Sequence, residues 1–189
     1  MSAAMPRYAA FLRGMNLGRR RITNDDLRTH VEALGFTDVR TFRASGNVIL
    51  DAPAGDTLAD VALRLESGLR TALAYEVPVF ARSAEQVRAM AAFSPFSAEE
   101  LAASTGKPQV VLLAQAPKAA ARRAAHALAP ADDLFVFEAD ELHWLPSAGL
   151  SVTELDFRAL AKAIGHATVR TKGTIDLIAA KHFAADRGG

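Results

Sequence analysis

Tyr8-Ala9-Ala10-Phe11-Leu12, followed at once by Arg13-Gly14-Met15-Asn16-Leu17-Gly18-Arg19-Arg20-Arg21, is the stretch whose reading decides the fold. The first five residues offer no polar set at either alternating position, so they read as a strand buried on both faces. The next nine hold two glycines, one amide and four guanidinium groups. Such a loop supports a tight change of direction and offers backbone N–H groups and cations to an anion. Thr23 then stands as an N-cap before Asn24-Asp25-Asp26, whose acids suit the positive end of a helix. Leu27, Val31 and Leu34 recur at helical spacing, and Gly35 ends the segment.

Outward from this unit, residues 39–44 and 48–50 read as two strands of a hairpin. Ser45-Gly46-Asn47 joins them, with two residue types that tolerate positive φ. A helix is expected over 57–74 and a strand over 77–81, which completes a β-α-β-β-α-β order. Short helices at 84–92 and 98–103 flank Ser94-Pro95-Phe96. The pattern then restarts: strand 109–114, helix 117–129, strands 134–138 and 142–145, helix 152–164. Residues 168–181 read as mostly helical. The expected class is α+β, with two ferredoxin-like (split βαβ) halves, the second diverged and ending in a helical C-terminus. The N-terminal half spans 1–82, a helical linker 83–106 and the C-terminal half 107–189.

Half of the 189 residues are apolar and about a quarter are charged, the balance of an ordinary globular protein. The chain has no cysteine, which excludes disulfides, thiolate catalysis and Cys-based zinc sites. The five histidines are scattered, and the acidic pairs Asp132-Asp133 and Asp140-Glu141 lack a further ligand at metal-binding spacing. No metal and no cofactor is expected. No apolar run approaches the ~20 residues of a membrane span, so no membrane partner is expected and a cytoplasmic location is the default. The net charge is +1, but residues 1–43 carry eight arginines against four acids. The positive field is therefore concentrated in the N-terminal quarter.

In a split βαβ unit the first two strands run the same way and the third returns between them. The loop 13–21, the start of the first helix and the turn 45–47 therefore meet at one sheet edge. Arg13, Gly14, Asn16, Gly18, Ser45, Gly46 and Asn47 are the candidate ligand-binding residues, with Arg43, Arg170 and Thr174 as further candidates. Asp25 and Asp26 repel an anion on the helix axis, which moves the expected ligand towards Arg13 and Gly18. The structural alternative is that the glycines only permit the loop and Asn16 only closes it. The loop is neither GxxxxGK[ST] nor G-x-G-x-x-G. No Ser lies in GxSxG, so no catalytic residue is assigned. Trp144 reads as core and His143 as a partly exposed strand residue. The first functional reading is a binding module for a small phosphorylated or carboxylated ligand. The alternatives are a nucleic-acid-binding protein acting through the arginine-rich N-terminal region and an enzyme of unassigned reaction. A homodimer is compatible with all three.

These residues resemble the bacterial family known as domain of unknown function 1697. Its members open with an apolar strand, an RGIN-x-G loop, a helix ending in LGF and a strand-turn-strand with SGN. The counterparts here are residues 8–12, Arg13-Gly14-Met15-Asn16 with Gly18, Leu34-Gly35-Phe36, and Ser45-Gly46-Asn47-Val48. Val77-Pro78-Val79, Pro95-Phe96 and Gly149-Leu150-Ser151 match as well. The resemblance implies an α+β fold of ferredoxin-like halves and no established activity. One departure stands out. The family's late T-x-R-N-W-N-T-V segment is here Thr168-Val169-Arg170-Thr171-Lys172-Gly173-Thr174-Ile175, without either Asn or the Trp.

Overall fold

A computed structural model of the chain describes residues 5–15, 21–43 and 46–184. They fall into two compact units, one running to Ala89 and resuming from Ile178, the other formed by Met90–Leu177.

In the first unit, β1 (Arg7–Leu12) is central because every residue from Tyr8 to Leu12 is buried. It pairs antiparallel with β3 (Asn47–Asp51) on one side and β4 (Val79–Ser83) on the other. The edge strand β2 (Thr37–Thr41) completes the order β2-β3-β1-β4. Tyr8, Ala10, Leu12, Val48, Leu50, Val79 and Ala81 form a core with α1 (Asn24–Glu32) and α2 (Leu58–Leu73). Helix α1 contributes Leu27 and Val31, and α2 contributes Val61, Leu65 and Leu69, each set at helical spacing. Burying each such side chain stabilises by roughly 1.5–3 kcal/mol. Thr23 caps α1 as its position predicts, accepting from Asp26 N–H at 3.1 Å. Thr57 and Asp60 close a reciprocal capping box on α2.

Strand β2 buries only Val39 of its five residues, and its pairing with β3 slips between Thr37 and Arg40. Asp38, at φ 42°, sits within that irregularity. Its carboxylate receives Arg40 and Arg7, which hold it below the usual carboxylate range. Arg7 also grips Asp51, its partner across β1 and β3, with Nε to Oδ1 at 2.7 Å.

The second unit repeats the order. Strands β5 (Gln109–Leu113), β6 (Leu134–Glu138), β7 (Glu141–Leu145) and β8 (Ala167–Thr171) lie as β6-β7-β5-β8, again all antiparallel neighbours. Val111, Leu113, Leu142 and Trp144 pack with Ala125 of α5 (Ala119–Leu128) and with Leu160 and Ile164 of α6 (Phe157–Ile164). Trp144 is fully buried, as expected of a core residue. Its indole N–H donates to Asp133 at 2.8 Å, and the other oxygen of that carboxylate accepts from the Ser147 N–H and hydroxyl. Helices α3 (Ala84–Ala92) and α4 (Ala98–Ala103) follow their sequence expectations, with Ser83 and Ser97 as caps.

Two expectations are corrected. The helix expected over 152–164 begins only at Phe157, because Asp156 caps it by accepting from the Arg158 and Ala159 N–H groups. The segment 168–181, read as mostly helical, is strand β8 followed by α7 (Lys172–His182). Residues Ala167–Thr171 pair along the open edge of β5, which satisfies backbone groups a local reading does not weigh. The α+β class and the C-terminal helix stand.

Replacing Asp133 with Ala leaves the buried Trp144 N–H without its acceptor. The expected cost is about 1–3 kcal/mol, read as a lower urea midpoint at unchanged slope. Unchanged stability would show that this carboxylate does not anchor the indole.

Candidate functional site

The end of β1 meets the residue that precedes β3. Leu12 N–H donates to Gly46 O at 2.7 Å, and on the other flank of β3 Phe42 N–H donates to Asn47 O at 2.9 Å. Arg13 follows Leu12 and Arg43 follows Phe42, so the two arginines leave the sheet on opposite sides of β3. Two strand spacings put their backbones about 10 Å apart. Arg13 N–H is tied to Pro78 O at 3.0 Å, ahead of β4.

Within this arrangement several of the sequence candidates build the fold. Gly14 and Gly46 adopt φ 75° and 72°. A Cβ on Gly46 would lie 3.0 Å from Met15 Cγ and 3.1 Å from Leu12. The Asn47 side chain is 99% buried, at 1% exposure, and its amide N–H donates to Phe42 O at 2.9 Å, which closes the hairpin. Asn16, Gly18 and Ser45 lie outside the described residues, as do Arg19 and Arg20.

The same end of the unit gathers cations that sequence reasoning did not connect. The Arg43 guanidinium lies 5.6 Å and the Lys181 ammonium 5.7 Å from the centroid of the Phe42 ring. His182 meets that ring edge-on at 6.1 Å. Phe42 is half-buried, whereas Arg43 and Lys181 are exposed. Partial burial lowers the His182 pKa, and Arg40, Lys181 and Arg7 lower it further against the opposing pull of Asp38. A local positive potential therefore surrounds this ring. Cations over an aromatic face are attracted by its quadrupole. No sequence signal links Phe42 to Lys181, because their meeting depends on where α7 ends.

Arg170 and Thr174 belong to the second unit. Arg170 donates from Nη1 to Thr168 Oγ1 and Val169 O, both at 2.8 Å, and burial lowers its guanidinium to about 10. Thr174 N–H donates to Thr171 Oγ1 at 3.2 Å, a capping arrangement at the start of α7. The residues that depart from the family pattern, Thr171, Lys172 and Gly173, form this strand-to-helix junction.

His143 corrects an expectation. It is 2% exposed rather than partly exposed, because β7 is an inner strand. Burial, with the nearby Lys172 charge, lowers its imidazole to about 4, and its Nε2 has no hydrogen-bond partner. Among the described residues no group of His, Asp or Glu forms a metal-holding cluster. No helix among them is long and apolar enough to cross a membrane.

Two four-stranded antiparallel sheets, the first with a basic hairpin end, thus define an α+β protein. Residues 5–143 match the family described as protein of unknown function (DUF1697), and the chain belongs to it. The structure is similar to that of the conserved bacterial protein SP0830 from Streptococcus pneumoniae, with a TM-score of 0.70 at 20% identity. The match covers 94% of this chain and 98% of that one, and shows the fold. No curated protein matches the sequence.

The depressed His143 pKa makes stability pH-dependent. The unfolded chain takes up this proton near 6.5 and the folded chain only near 4. Stability is therefore complete above the unfolded value and is lost as pH falls towards 4. Between pH 7 and pH 5 the expected loss from this group is about 2 kcal/mol. His143→Leu removes that component, so urea unfolding at both pH values is to be compared between the two proteins. Equal losses in both would exclude His143 as the source.

Proposed function

We propose that the protein is a binding module for a small phosphorylated or carboxylated ligand, held at the hairpin end of the first unit by Arg13, Arg43 and Lys181. The observation that carries this reading is the gathering of Arg43, Lys181 and His182 on one half-buried ring, Phe42. Cations gathered on one ring raise the local positive potential, which attracts an anion. Guanidinium groups suit the task because their paired N–H donors match the oxygens of phosphate and carboxylate. Gly14, Gly46 and Asn47 serve this site as scaffold, setting the directions in which Arg13 and Arg43 leave the sheet. In the same unit Asp38 pairs with Arg7 and Arg40, and Asp51 with Arg7. The proposal includes a cytoplasmic location, where phosphorylated and carboxylated metabolites abound.

A cation-flanked aromatic ring also favours a second reading, a single-stranded nucleic acid whose bases stack while its phosphates meet the arginines. Calorimetric titration with inorganic phosphate, citrate and a nucleoside monophosphate tests the first reading. At least one should bind more tightly than about 1 mM, and the Arg43→Ala/Lys181→Ala double variant should weaken it roughly tenfold or more. Binding unchanged in the variant, or none at all, would overturn the proposal. Tight oligonucleotide binding that falls steeply with salt, without binding of the small anions, would install the second reading in its place.

A further inference from the structure

The second unit holds a half-open cavity of about 150 Å³ whose lining is unlike the basic hairpin end. Phe93, Pro95, Phe96 and Leu101 make its walls mostly apolar, and His143 joins them. The Phe93 ring meets the imidazole edge-on at 4.7 Å. His143 is 98% buried, at 2% exposure, and its Nε2 makes no hydrogen bond. Buried polar groups in native proteins find partners, so an unpaired imidazole beside a cavity points to something that fills it. The one charged pair in the lining is internally satisfied. Lys172 Nζ contacts Asp176 Oδ1 at 2.5 Å and Ala91 O at 2.7 Å.

We propose that this cavity binds a small, neutral, planar ring carrying one hydrogen-bonding group, with that group on the His143 imidazole and the ring among Phe93, Phe96 and Leu101. Size sets the first limit, since a cavity of this volume accepts a single six-membered ring. Charge sets the second. A charged ligand loses its hydration on entry and meets no uncompensated partner ion in the wall. A neutral imidazole is one donor and one acceptor, so it serves a phenolic hydroxyl or a ring nitrogen equally well. The depressed imidazole pKa keeps the group neutral through the physiological range. This site lies in the other unit from the proposed anion site and does not rest on that reading.

Phenol and benzene are the probes, titrated into the full-length protein and followed by amide chemical shifts. Phenol is expected to shift the amides of Phe93, Leu101 and His143 with a dissociation constant on the order of 1 mM. Benzene, lacking the hydroxyl, is expected to bind about tenfold more weakly. His143→Leu should bring phenol down to the level of benzene. Leu101 is 42% exposed, so Leu101→Trp keeps the fold and should close the cavity to both probes. The proposal is overturned if phenol produces no saturable shifts, as when the cavity takes only water. It is equally overturned if Leu101→Trp binds phenol as the parent does, or if His143→Leu retains the preference for phenol over benzene. Should His143→Leu fail to fold, the Leu101→Trp comparison decides alone.

Discussion

A strand buried on both faces must be paired on both edges, because its backbone groups have no water to turn to. Strand β1 meets that condition by lying between β3 and β4, and β5 meets it between β7 and β8. Much else in each unit follows. The antiparallel partners bring the loop after β1 against the hairpin turn before β3, and the bond from Leu12 to Gly46 closes that junction. Arg13 and Arg43 each lie one residue beyond a backbone bond of this junction.

The two units carry the same strand order but fill it differently. Ala9 lies between Ile49 and Arg82, whereas Val110 lies between His143 and Arg170. The arginine persists at the corresponding place in both sheets, while an aliphatic residue in one becomes an imidazole in the other. An isoleucine at such a place asks only for packing. A histidine asks also for a hydrogen bond, and with its Nε2 unpaired the second sheet carries a chemical demand that the isoleucine of the first does not.

Charge in the first unit divides into two roles. Arg7 and Arg40 meet Asp38 and Asp51 at the irregular edge strand β2, ion pairs worth little in a half-exposed setting. Arg43 and Lys181 gather instead on Phe42. Of the arginines in the first 43 residues, Arg7, Arg28 and Arg40 pair with acids of the fold. The ammonium that shares the Phe42 ring with Arg43 comes from the far end of the chain, at Lys181.

The first helix was legible in the sequence: Thr23 before α1, and Leu27 and Val31 at helical spacing, act within a few turns of the chain. The central strands were legible for a similar reason, since an apolar run at both alternating positions admits few alternatives. That the end of β1 comes against Gly46 followed from element order alone, and the Leu12–Gly46 bond embodies it. Strand β8 was not legible, because Thr168-Val169-Arg170-Thr171 merges into a helix and only the open edge of β5 selects the extended form. The burial of His143 and the gathering of Lys181 on Phe42 were not legible either. Both depend on contacts between residues far apart in the chain, which no local pattern encodes. By itself the sequence determined the class, the element order of the first unit and the sign of charge at the N-terminal quarter. Tertiary structure decided which of those charges are consumed by the fold and which polar group is left buried beside a cavity, because burial and pairing are properties of neighbours in space.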